Sequence, residues 1–84
     1  MKLGTQIAYI PNHAEGDIQH PDVEFGFVVS ERGDAHFCRY WRKGEPRELR
    51  TTANSELTPT TNLVIYHVVP QEAVEYWLEE LGNI

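Results

Sequence analysis

Residues 10–25, IPNHAEGDIQHPDVEF, bring two histidines close to several acids, with ligand-type side chains at His13, Asp17, His20, Asp22 and Glu24. Imidazoles and carboxylates bind zinc when three or four of them converge and other groups hold them in place. His13, Asp17 and His20 are the candidate metal ligands here. The spacing His13-x6-His20 follows no standard zinc pattern, and no HExxH, CxxC or EF-hand series accompanies it. The same residues are ordinary loop chemistry, because Asp and Asn close turns by bonding their own backbone. The simpler reading is a structural loop without a metal. Contact with a ligand is the alternative, since exposed loops on small scaffolds carry binding sites.

A second constellation is FCRYWRKGEPRELR, residues 37–50. Strand alternation places Phe37, Arg39 and Trp41 on one face and Cys38, Tyr40 and Arg42 on the other. If Val28, Cys38 and Tyr40 point inward, Trp41 and Arg39 are at least partly available. An aromatic beside an arginine can stack on a peptide, a base or another subunit. The bland alternative puts Trp41 beneath a helix and leaves the arginines paired with nearby acids. Tyr9, Arg39, Trp41, Arg42 and Lys43 are the candidate binding residues.

Familiar catalytic signatures are missing. There is no Gly-x-Ser-x-Gly elbow, P-loop or dinucleotide fingerprint. Cys38 lies mid-strand between apolar neighbours and reads as a buried, inert thiol, because reactive thiols need an exposed electropositive setting. His67 sits inside the apolar run LVIYHVV and receives no role. The RGD at residues 32–34 is turn chemistry. No cofactor is expected, and a noncatalytic protein is favoured over an enzyme.

The elements that must position these residues belong to one domain of 84 residues. A chain this short buries roughly 60–65% of its unfolded surface, so it folds with a thin margin. TQIAYI, 5–10, reads as a first strand, and residues 11–22 as a long loop. VEFGFVVSERGDAHFCRYWR, 23–42, is a hairpin whose Gly33 suits the positive φ of its turn. KGEPRE is a second turn, 48–52 a short strand, and ANSELTPTTN a loop with room for one helical turn. LVIYHVV, 63–69, reads as the last strand, and PQEAVEYWLEEL, about 70–81, as a helix. Val74, Trp77, Leu78 and Leu81 form its apolar stripe, and Gly82 follows as a stop. A helix this short is marginal alone and must dock, with one side of the sheet the expected seat.

Thirteen acids against seven Lys plus Arg leave a net charge of −6. That disfavours nucleic acid, whose binding rests on neutralised phosphates, and anionic membranes likewise. The exception is local: Arg39, Arg42, Lys43, Arg47 and Arg50 fall in twelve residues with only Glu45 and Glu48 between them. The lone cysteine precludes an internal disulfide and fits a reducing, cytoplasmic setting. The N-terminus does not read as a signal peptide, and LVIYHVV is too short to span a bilayer.

The short strands, long first loop, GFV strand at 26–28, FCRYW strand and polar turn before the last strand resemble an SH3-like five-stranded small barrel over residues 4–69. The chain also resembles small proteins of unassigned role carried by phages and other mobile elements. Among SH3-like proteins, the plasmid-borne type II dihydrofolate reductases line a tetrameric pore with Val-Gln-Ile-Tyr. Here Leu63–Tyr66 reads LVIY, so Ile65 and Tyr66 match but Val64 replaces the glutamine. That removes the amide on which the family's ligand bonds depend and argues against reductase activity. The resemblance implies a noncatalytic module that binds a protein or assembles with copies of itself. A small-ligand or metal site at the 11–24 loop, or at an oligomer pore near Tyr66, is the alternative.

Overall fold

The computed structural model describes residues 1–63 and 69–81. Most of the expected last strand, with Tyr66 and His67, therefore lies outside the described residues, as does Gly82. Six strands are present: β1 (Gln6–Tyr9), β2 (Glu24–Arg32), β3 (Ala35–Arg42), β4 (Glu45–Pro46), β5 (Arg50–Ala53) and β6 (Leu57–Pro59). One helix follows, α1 (Gln71–Leu81). All pairings are antiparallel. The order runs β4-β3-β2-β1-β6, and β5 also pairs with β3.

The fold is mainly β with a C-terminal helix, as expected, but two features differ from the sequence reading. First, there are six strands among the described residues, because short strands formed inside segments read as turn and loop. β4 and β6 are two and three residues long, too short to carry an alternation, and each contains a proline. Both lie at sheet edges, where a missing N–H costs nothing. Second, the pairings leave the sheet open. β5 and β6 are consecutive in sequence but sit on opposite flanks, on β3 and on β1. A 3-10 turn at Asn54–Glu56 joins them, and the Glu56 carbonyl accepts the Ile10 N–H at 2.9 Å. The turn carries the chain from one flank of the sheet to the other, and β5 and β6 do not pair.

The central hairpin is as expected. Strands β2 and β3 flank the Gly33–Asp34 turn, with Gly33 at φ +60°. Alternation sends their side chains to opposite faces. Ile7, Val28, Cys38, Tyr40 and Leu57 form one core, with Tyr9 against it. Phe27, Val29 and Val74 form the second, wrapped by Trp41, Leu49, Val69, Trp77 and Leu78. The helix thus covers the Phe27–Val29–Trp41 face, which the sequence left undecided. Two amide bonds fasten it: Gln71 Nε2 donates to the Gly4 carbonyl at 3.0 Å, and Gln6 Nε2 to the Val69 carbonyl at 2.6 Å.

Gly26 is required by close packing between strands. A Cβ built there would lie 2.2 Å from the Arg39 carbonyl oxygen and 2.9 Å from Tyr40 Cα. These are backbone atoms, which cannot rotate away. Gly26→Ala is expected to destabilise by at least about 2 kcal/mol through forced separation of β2 and β3. Val74→Ala, which empties the fully buried seat of the helix, is expected to cost about 2 kcal/mol. Urea unfolding midpoints check both.

Candidate functional site

The long loop between β1 and β2 is built from successive tight turns. A 3-10 turn covers Asn12–Ala14, and Glu15 follows in the left-handed region at φ 52°. The N–H groups of Ala14, Glu15, Asp17, His20 and Val23 donate to the carbonyls of Pro11, Asn12, Ala14, Asp17 and His20, at 2.9–3.1 Å. Each turn satisfies backbone groups that a long loop would otherwise leave unpaired. Ala14 and Pro11 are buried beneath the loop.

This winding brings His13 and His20 together, with ring centroids 5.2 Å apart and planes at 75°. The third group beside them is Asp22, whose Oδ2 lies 2.6 Å from His13 Nε2. Asp17, the carboxylate singled out from sequence, is not in this cluster. Its Oδ1 accepts the Gln19 N–H at 2.9 Å and closes a local turn. Asp22 was visible as a ligand-type residue, but its convergence with the histidines depends on the turn after His20. There the Asp22 N–H donates to His20 Nδ1 at 3.0 Å.

The second constellation lies beside the first. A cleft of about 470 Å³ is lined by Glu24, Tyr40, Trp41, Arg42, Arg47, Glu48 and Arg50. A neighbouring depression, about 400 Å³, shares Glu24, Arg42 and Arg50 with it and adds Tyr9, His13, Pro21 and Asp22. The two form a continuous trough between the long loop and the β3–β5 side of the sheet. Each part falls in the size range of ligand clefts, about 300–1,000 Å³.

The trough's charges are unequally committed. Arg50 donates to Glu24 Oε2 at 2.9 Å and lies over the Tyr40 ring, 5.3 Å from its centroid. Arg39 donates to the Arg47 carbonyl at 3.0 Å, so its head braces the segment after β4. Arg42, Lys43 and Arg47 have no side-chain ion pair among the described residues. Lys43 and Gly44 both have positive φ in the two-residue turn between β3 and β4, as the strand twist demands of such a turn. That turn places Arg42 and Lys43 at an exposed tip.

Of the five candidate binding residues, Tyr9, Trp41 and Arg42 line the trough, Lys43 stands at its tip, and Arg39 is a brace. Trp41 is half-buried against Phe27, with ring centroids 5.1 Å apart, and its face belongs to the helix-covered core. Glu24, Arg47 and Arg50 were not singled out as site residues. Glu24 and Arg50 are 26 positions apart and meet only because β2 and β5 flank β3.

The remaining reactive side chains are spent on structure. Cys38 is fully buried. Burial pushes its thiol up to about 11, against a smaller opposing effect of a bond with Tyr40. Burial likewise raises the Tyr40 phenol strongly, the Thr52 hydroxyl opposing. Tyr40 and Thr52 share a 2.7 Å hydrogen bond inside the core. His36 is buried too: Nδ1–H donates to Asn54 Oδ1, and Nε2 accepts from the Met1 amine at 3.2 Å.

With a pKa near 11, about one Cys38 in a thousand is thiolate at pH 8. Alkylation by iodoacetamide at pH 8 is expected to be negligible in the native protein and rapid in urea, as mass spectrometry would report. Tyr40→Phe strands the Thr52 hydroxyl, which is 6% exposed, and is expected to cost about 1–2 kcal/mol in thermal or urea unfolding.

Among the described residues, no helix is long and apolar enough to cross a membrane. No protein-family model, curated protein or solved structure matches the chain.

Proposed function

We propose that this chain is a noncatalytic binding module of SH3-like small-barrel type that recognises an acidic segment of a protein partner in the trough. The observation that carries this reading is the pairing of uncommitted guanidinium groups with an aromatic wall. Arg42 and Arg47 lack carboxylate partners among the described residues, and they line a trough edged by the half-buried Trp41, with the half-buried Tyr9 in its adjoining part and Tyr40 buried beneath. Guanidinium groups hold carboxylates by two parallel hydrogen bonds, and the exposed edges of Trp41 and Tyr9 offer apolar contact beside them. Bonding and burial leave Cys38 and His36 without a catalytic part.

The fold assignment draws on connectivity. A long loop after β1, the meander β2-β3-β5, a 3-10 turn, and a last short strand returning to β1 follow the order of such barrels. A cytoplasmic setting goes with this reading, supported by the single buried thiol. A second copy is one partner with suitable chemistry. The exposed side of α1 presents Glu72, Glu75, Glu79 and Glu80 around an exposed Tyr76. A phosphate backbone is the weaker competitor because of the net charge of −6.

The test is the charge reversal Arg42→Glu with Arg47→Glu, both exposed side chains whose replacement leaves the cores intact. Affinity for acidic, aromatic-containing peptides, measured by calorimetry, is expected to fall at least about tenfold, as for loss of a charged hydrogen-bonded pair. Self-association, followed by native mass spectrometry, is expected to fall with it if the partner is a second copy. Equal binding by the reversed and unaltered proteins would remove the trough from the function.

A further inference from the structure

We propose that His13, His20 and Asp22 form a binding site for one divalent transition-metal ion of the zinc class, at the margin of the trough. Each residue offers a ligand atom, and these atoms all lie within 4.8 Å of one another. Donors around a tetrahedral zinc stand about 3.3 Å apart, given bonds of about 2.0–2.1 Å. The cluster therefore needs a contraction of about 1.5 Å at most. Freely rotating side chains supply it, since the His13 and Asp22 side chains are 62% and 58% exposed.

Three observations favour an ion over chance proximity. The histidines are seven positions apart and meet because five successive backbone turns hold the loop, not because an apolar core draws them in. Two imidazoles and one carboxylate are a donor set for zinc, nickel, cobalt or copper, whereas magnesium and calcium prefer oxygen. The groups also converge on solvent, leaving the remaining coordination positions to water or to an incoming carboxylate. His13 and Asp22 line the same depression as Arg42 and Arg50, so an acidic ligand would be met from both sides.

Loading rearranges two bonds. The Asp22 carboxylate now against His13 Nε2 turns to the metal, and each histidine ligates through an unprotonated ring nitrogen with its proton on the other. His20 Nδ1 now accepts the Asp22 N–H, which places its ring proton on Nε2. The ion takes that Nδ1 lone pair, and the backbone N–H is left to water. Binding weakens on acidification, because protons compete with the ion for its ligands.

This inference is independent of the peptide reading, because the protein alone should bind the ion. The experiment is calorimetric titration of the full chain with zinc chloride, after chelator treatment and purification without a histidine tag. The unaltered protein is expected to take up one zinc per chain and to melt at a higher temperature with zinc than without. His13→Ala, His20→Ala and Asp22→Asn are each expected to weaken binding at least tenfold, and Asp17→Asn, outside the cluster, to leave it unchanged. Circular dichroism identifies any variant that fails to fold. His13→Ala decides the matter alone in that event, since the His13 side chain is 62% exposed and its removal leaves both cores intact. No zinc uptake up to millimolar concentration, or unaltered uptake by folded His13→Ala, would overturn the proposal.

Discussion

Two-sided burial of the β2–β3 pair is the constraint on which this small structure depends. A sheet with a single apolar face can leave the other in water, but β2 places Phe27 and Val29 on one side and Val28 on the other. Neither side can be left open. The 84-residue chain has material for only two thin covers. Ile7 and Tyr9 of β1 and Leu57 of β6 pack with Val28, Cys38 and Tyr40 on one side. The eleven-residue α1 closes over Phe27, Val29 and Trp41. Burial at about 25 cal/mol per Å² is the main favourable contribution, and short strands and a short helix have little of their own to add.

The same constraint explains where the exposed chemistry collects. Covering both faces consumes most aromatic and aliphatic side chains of β2 and β3, and one concentration of accessible charged groups lies in the loop after β1 and the turns at the far end of β3. These meet at one edge. Glu24 starts β2, Arg42 ends β3 and Arg50 starts β5, and the antiparallel ladder brings them side by side. The trough is thus a by-product of register. Its rigid parts are the Arg50–Glu24 pair and the Arg39 brace, while Arg42 and Lys43 stand free on a tight turn.

Buried polar groups are few and are paired. No buried side-chain nitrogen or oxygen among the described residues lacks a partner. Tyr40 bonds Thr52, and His36 bonds Asn54, each tying β3 to β5 or to the turn that follows it. β5 is only four residues long, so these side-chain bonds matter more than they would beside a long ladder. They also bear on the chemistry, since they occupy groups that would otherwise be candidate catalysts. The exposed loop is the contrast: its histidines are held close to each other by backbone turns, with His13 exposed and His20 half-buried.

The hairpin at 24–42, the helix at 71–81 and the loop between β1 and β2 were legible from the residues, because each rests on local physics. Alternation, helical spacing and turn chemistry act over a few positions. Alternation put Cys38 and Tyr40 on one face and Trp41 on the other, and both faces are buried. β4 and β6 were not legible: two or three residues ending at an edge proline carry no period, and their pairing comes from neighbours far along the chain. The open pairing, the seat of α1 and the partnership of Trp41 with Phe27 were likewise tertiary outcomes. So was the substitution of Asp22 for Asp17 beside the two histidines. Composition placed ligand-type side chains in the loop, but the directions in which they point are set by the φ of Glu15 and by hydrogen bonds among turns. Local sequence determined which segments could be strand, helix or loop. Which side chains share a site was decided by sheet register and loop winding, because those bring together residues whose separation in sequence carries no signal.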